Sequence, residues 1–207
     1  MNEKNNIILA FDTCLDKMYV VLKEGKNILS SEIVENQGEK YHSAFLVSTI
    51  QSVLSKNNKK PQDINLIATN IGPGSFTGIR ACTTVARVMA QQLQCKAVGI
   101  SSLEILAHAS KAVNPLVALD ARKEKAYLYI DGEIKGAIPL EEVKELTESG
   151  KYTIITDNKL QPILGGISYQ QESMPLGEIL AELAEKKDCE GDWRRLKPLY
   201  IQPPPMG

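Results

Sequence analysis

Two short apolar runs, Ile7-Ile8-Leu9-Ala10-Phe11 and Leu116-Val117-Ala118-Leu119, each stop at an aspartate, Asp12 and Asp120, and no other feature constrains the fold as much. Uninterrupted apolar runs of this length suit strands covered on both faces. A shift of 108 positions lays Asp12, Asp16, Lys17, Tyr19 and Leu22 over Asp120, Glu124, Lys125, Tyr127 and Ile130. Both copies then reach a glycine turn, Gly25 and Gly132, and a further strand. Run, turn and strand is a common pattern, so coincidence is the alternative. The shared acidic tip and the identical Lys-x-Tyr step favour a duplicated unit. The second copy is the poorer one: its turn reads Asp120-Ala121-Arg122-Lys123, without the hydroxyl of Thr13. Arg122 and Lys123 suit either a phosphate neighbour or a solvated bend.

Between the copies, Met18 to Leu22 and Ile28 to Val34 read as a hairpin, and Tyr41 to Leu54 as a helix with Leu46, Ile50, Val53 and Leu54 on one face. The run Leu66 to Arg80 then joins an apolar strand to a helix through Gly72-Pro73-Gly74-Ser75-Phe76-Thr77-Gly78. Glycine there frees the backbone for positive φ or close approach. Ser75 or Thr77 is placed to cap the helix, whose N–H groups would face an anion. A tight turn that needs glycine for geometry alone explains the pattern equally well. No lysine follows the glycines, so this is not a Walker-type phosphate loop. The helix beyond it has two apolar stripes: Ile79, Cys82, Ala86, Met89 and Leu93 on one side, Ala81, Val85 and Val88 on another. One buried face needs only one stripe, so the second predicts contact with a neighbouring helix.

Two units, each a meander with an acidic first turn, are what an actin-like or sugar-kinase-like ATPase fold contains. The expected division is a first lobe over 1–114 and a second over 115–207, ending in the extended, proline-rich arm Leu196 to Pro205. Leu176 to Lys187 reads as a helix of the second lobe. Gly165-Gly166 is its sole candidate for an adenosine loop.

The charge balance, 24 basic against 25 acidic residues, argues against a general polyanion-binding surface. Cys14, Cys82, Cys95 and Cys189 are scattered with no C-x-x-C, so neither a zinc site nor a disulfide framework is expected. His42 and His108 stand in no catalytic string, which leaves nucleophilic catalysis without a base. Asp12 with Thr13 is the best candidate for holding a phosphate-bound Mg²⁺ or a water. The plainer role for Asp12 is to cap its own turn. The polar start and the lack of a long apolar run predict no signal peptide, no membrane span and a cytoplasmic location.

Phe11-Asp12-Thr13, Gly72 to Arg80, Val98-Gly99-Ile100-Ser101-Ser102-Leu103, Ala118-Leu119-Asp120-Ala121-Arg122 and Pro198-Leu199-Tyr200-Ile201 together resemble the TsaB (YeaZ) family of bacterial tRNA threonylcarbamoyladenosine biosynthesis proteins. The resemblance is specific to about residue 130, weak from Lys135 to Arg195, and returns at the tail. It implies an α/β, actin-like ATPase (ASKHA, ribonuclease H-like) two-lobe fold with a reduced second lobe that is not itself a catalyst. The implied partners are a TsaD-like catalytic subunit, a TsaE-like ATPase and, in their absence, a second copy of the chain in a homodimer, with tRNA met indirectly through the complex. No cofactor is required by it; ATP or ADP with Mg²⁺ at the subunit interface is the nucleotide it allows, near Asp12, Thr13, Gly72, Gly74 and Ser75. The partner surface it implies is made by the two first-lobe helices, with His42, Phe45, Thr49, Ala81, Val85 and Val88. TsaD binds its metal through two histidines whose equivalents here are Ser102 and Leu106, and His108 is two residues out of place. The rival reading is an ATPase or metallopeptidase acting on its own.

Overall fold

The computed structural model describes residues 6–35, 41–187 and 192–202. Cys189 and Pro203 to Pro205 lie outside them.

The first sheet is built from β1 (Ile7–Asp12), β2 (Met18–Glu24), β3 (Asn27–Val34), β4 (Leu66–Asn70) and β5 (Lys96–Ile100) in the order β3-β2-β1-β4-β5. β1 to β3 form an antiparallel meander; β4 runs parallel to β1, and β5 parallel to β4. Every residue of β1 is buried, whereas the outermost β3 alternates, as strands with one and two neighbours should. Phe11 faces Thr69 in the β1–β4 register, so Asp12 and Asn70 end their strands side by side.

The segment that follows β3 differs from its pattern. A helix is expected from Tyr41, yet His42–Phe45 is a 3-10 turn, and α1 covers Leu46–Lys56. Tyr41 offers no side-chain cap, so the first turn tightens to bonds of i to i+3 type. α2 (Phe76–Leu93) follows the glycine loop. Leu46, Ile50, Val53 and Leu54 of α1 and Ile79, Cys82, Ala86 and Ala90 of α2 close on Leu9, Phe11, Val20, Leu22 and Ile67 in one core.

Beyond α3 (Ser102–Ala109), the pattern repeats with β6 (Pro115–Asp120), β7 (Lys125–Ile130), β8 (Glu133–Pro139), α4 (Leu140–Glu148), β9 (Thr153–Thr156), the short α5 (Gln161–Leu164) and β10 (Ile167–Ser168). The sheet order is β10-β9-β6-β7-β8, in which β6 takes the place of β1, β7 and β8 complete the meander, and β9 and β10 are the parallel strands. Even the irregularity recurs: the meander register slips at Leu22/Lys23 and again at Leu128/Tyr129. The two sheets thus share one topology, as the 108-residue shift predicts. Leu116, Ala118, Leu128, Val143, Leu160 and Leu164 belong to the second core.

The division at 114/115 is corrected. One compact unit is 1–102 with 176–199; the other is 103–175 with 200–207. α6 (Leu176–Lys186) returns to the first sheet, lying against β1, β2, β4 and β5. Gly177 makes this approach close, since a Cβ there would stand 2.8 Å from Cγ2 of Val21. The amphipathic pattern of α6 says that one face is buried and not which sheet buries it. An ion pair fixes the far end: Lys23 Nζ, on a side chain only 5% exposed, meets Glu185 at 2.6 Å. Glu185→Ala is therefore expected to cost about 2 kcal/mol, because it leaves a buried ammonium on the Gly25 carbonyl while the carboxylate lost was itself partly solvated. A lower melting temperature, recovered in Lys23→Met/Glu185→Ala, checks it.

Candidate functional site

The ends of β1 and β4, the glycine loop and the start of α2 converge on one polar cluster. Asp12 is 1% exposed and Asn70 not at all. One carboxylate oxygen of Asp12 accepts from the Cys14 amide at 2.6 Å and the other from Nδ2 of Asn70 at 2.9 Å. Oδ1 of Asn70 accepts from the Gly72 amide at 2.8 Å. Ser102 Oγ lies 2.9 Å from that same oxygen and 2.7 Å from the Pro73 carbonyl, and its single proton serves either. Thr13 donates to the Gly78 carbonyl at 2.7 Å, and the Ser75 amide to the Cys14 carbonyl at 2.7 Å. The turn after β1 and the loop before α2 are thereby stitched together in the protein interior.

Glycine in this loop serves approach as much as conformation. A Cβ on Gly74 would stand 2.3 Å from the Cys14 carbonyl oxygen, and one on Gly78 only 1.8 Å from that of Thr13. Gly72 has φ +101°, and the Gly72–Pro73 peptide is cis. Ser75 caps α2 as its spacing predicts, accepting from the Gly78 amide at 3.2 Å. Of the five expected nucleotide-site residues, Gly74 and Ser75 reach the surface, while Asp12, Thr13 and Gly72 are buried. The structure therefore brings the set together and gives the carboxylate the plainer role, a brace for its own turn. Each Asp12 oxygen holds a neighbour from its own turn or from the adjacent strand, the Cys14 amide on one and Asn70 on the other. Among the described residues no three His, Cys, Asp or Glu side chains stand together as metal ligands.

Asn70 and Ser102 carry more of this arrangement than their spacing reveals. A polar residue closing an otherwise apolar strand was the available signal for Asn70. Ser102, which takes the place of a metal-binding histidine in the implied comparison, is fully buried in the brace. Leu106 is likewise buried. His108 points its Nδ1 at the Glu104 carbonyl at 2.9 Å, and it lines a hollow of 540 Å³ with Lys111, Tyr129, Asp131 and Tyr152.

The acidic turn of the second unit is built differently. Arg122, Lys123 and Glu124 all have φ between 50° and 60°, a left-handed turn without glycine. Asp120 meets Lys159 at 2.9 Å and accepts from the Arg122 amide. Partial burial alone would raise its carboxyl; those two partners carry it below the ordinary carboxylate range. A Cβ on Gly166 would stand 2.4 Å from the Ile154 carbonyl oxygen, which is reason enough for a glycine at that position.

The expected partner-surface residues lie on α1, α2 and the 3-10 turn. Val88 is 53% exposed, Ala81 is half-buried, and Phe45 and Val85 are half-buried against the core. Thr49 lines a 320 Å³ groove with Phe45, Ser48, Ser52 and Lys56. Tyr41 and Val47 add exposed apolar surface at 71% and 54%. The side chain of His42 lies outside the described residues.

Two sheets of identical order, each entered by an acidic turn, define an α/β chain of the actin-like class. Residues 27–140 match the family model of TsaD, tRNA N6-adenosine threonylcarbamoyltransferase. Over 94% of its length the chain is 27% identical to the tRNA threonylcarbamoyladenosine biosynthesis protein TsaB of Bacillus subtilis, covering 93% of that protein. It is 33% identical to the TsaB of Buchnera aphidicola from Schizaphis graminum over 59% of either chain, and so spans less than two thirds of that relative. The fold matches that of YeaZ from Pseudomonas aeruginosa with a TM-score of 0.75 at 21% identity, over 94% of this chain and 99% of the other. The chain belongs to the TsaD family, and over nearly its whole length it resembles a TsaB protein.

Proposed function

We propose that the chain serves the biosynthesis of tRNA threonylcarbamoyladenosine as a non-catalytic subunit, binding a TsaD-like catalytic partner through α1 and α2, together with a TsaE-like ATPase. The observation that carries this reading is the use made of the acidic turn. Its carboxylate, which an actin-like ATPase needs for its nucleotide's metal, is buried and hydrogen-bonded to Asn70 and the Cys14 amide. The helix that rises from the braced loop meanwhile presents Val88 to solvent. An apolar row half-sunk beside polar residues is the composition of an interface centre rather than of a reaction site. The same surface pairs two copies when the partner is missing. The tRNA is met through the assembly in the cytoplasm. A nucleotide, ATP or ADP with Mg²⁺, is held only where the partner completes the site above Gly74 and Ser75.

Val88→Glu tests this. It places a charge that must be desolvated in the interface, so affinity for the purified TsaD-like subunit of the same organism is expected to fall at least about 30-fold, as for a hot-spot residue. The melting temperature should stay within roughly 2 °C, as for other surface changes. Titration calorimetry and a thermal scan report the two effects. Wild-type affinity in the variant, or ATP turnover by the chain alone that Asp12→Asn abolishes, overturns the proposal.

A further inference from the structure

We infer that Cys14 and Cys82 form an oxidisable pair, a modification site that a hydroperoxide closes to a disulfide between the turn after β1 and helix α2. The two sulfurs lie 3.5 Å apart, although 68 residues separate them in the chain. Both thiols point at the same acceptor, the Asn70 carbonyl, at 3.4 Å from Cys14 and 3.1 Å from Cys82. That shared acceptor holds one sulfur against the other. Closure to a disulfide needs that gap to shrink to about 2.05 Å. Both cysteines are unbridged and almost wholly buried, at 2% and 0% exposure, whereas Cys95 is only partly buried.

The chemistry balances with one peroxide. The Cys82 sulfur attacks the peroxide, the O–O bond breaks, and Cys82 becomes a sulfenic acid with release of one water. The Cys14 sulfur then attacks the sulfenyl sulfur, the S–O bond breaks, and the hydroxyl leaves as a second water with the Cys14 proton. Two thiols are oxidised and one hydroperoxide is reduced. Either sulfur can attack first, and the balance is the same as with Cys82, whose sulfur lies 3.1 Å from the Asn70 carbonyl. Burial pushes the Cys14 thiol well up, so it stays protonated until the sulfenic acid forms beside it. Burial of both sulfurs excludes a bulky disulfide such as oxidised glutathione, which leaves a small hydroperoxide as the oxidant. This is independent of the partner role proposed above.

The full-length reduced protein is treated with hydrogen peroxide under native conditions, then denatured with an alkylating agent and digested with trypsin. The expected product joins the peptide covering 5–17 to that covering 81–87, at two hydrogen masses below their sum, and dithiothreitol reverses it. Glutathione disulfide should leave the pair intact. In Cys14→Ser, dimedone should label Cys82, the resolving thiol being gone. Because the wild-type map needs no variant, misfolding of Cys14→Ser does not spare the inference. It fails if 14 and 82 are both alkylated while 95 or 189 carries the oxidation, or if either cysteine is found joined to another.

Discussion

Gly78→Ala is expected to destabilise the protein by about 3 kcal/mol, the upper end of ordinary overpacking, even though it exchanges the poorer helix former for the best one. In an open helix the exchange would gain about 1 kcal/mol, so the sign of the effect separates the two accounts. The added Cβ would stand 1.8 Å from the Thr13 carbonyl oxygen and 2.7 Å from its carbon. What it meets is main chain, which cannot swing aside as a side chain does. Nor is that main chain loose: the Cys14 amide is tied to Asp12, the Cys14 carbonyl to the Ser75 amide, and Thr13 itself to the Gly78 carbonyl. Relief must come from lifting the first turn of α2 off the sheet. Urea unfolding followed by circular dichroism measures the loss, and Thr84→Ala, exposed on the same helix, should shift by no more than about 0.5 kcal/mol. A Gly78→Ala protein as stable as wild type would mean that the approach of α2 to the acidic turn is slack.

The same contact shows where sequence reasoning reached and where it stopped. The strands β1, β2, β4 and β6 announce themselves as apolar runs, and the repeat at 108 residues survives as two sheets of one topology. Local chemistry was enough for the Ser75 cap, because the hydroxyl acts on its own helix. Long-range choices were not legible. The apolar pattern of α6 does not name the sheet that buries it, and it lies against β1, β2, β4 and β5 of the first. Cys14 and Cys82 read as scattered because the contact that joins them is made by the docking of α2. Asp12 reads as a metal ligand and as a turn cap with the same letters; the partner that decides, Asn70, lies 58 residues away. The left-handed run Arg122 to Glu124 has no glycine to signal it.

Asn70→Ala is expected to be at least as damaging, about 4 kcal/mol, because the amide serves three groups at once. It donates to Asp12 and accepts from the Gly72 amide and Ser102. Removing it strips a buried carboxylate of one donor and a buried amide of its acceptor, at about 1–3 kcal/mol for each group left wanting. Ser102 loses less, since its proton turns to the Pro73 carbonyl. Asn70→Asp separates hydrogen bonding from mere shape. It keeps the acceptor for Gly72 but places a second carboxylate where Nδ2 stood, 2.9 Å from Asp12. Two buried carboxylates that close cannot both ionise, so one is held protonated with its folded pKa raised above the unfolded value. The folded state then binds the extra proton, and stability must fall as pH rises from about 4 through that raised pKa. Asn70→Asp should accordingly approach wild type in urea midpoint at pH 5 and drop well below it at pH 7.5, so that the gap between the two proteins widens with pH. If both variants unfold like wild type at both pH values, the brace contributes nothing, and the carboxylate of Asp12 is available for a ligand after all.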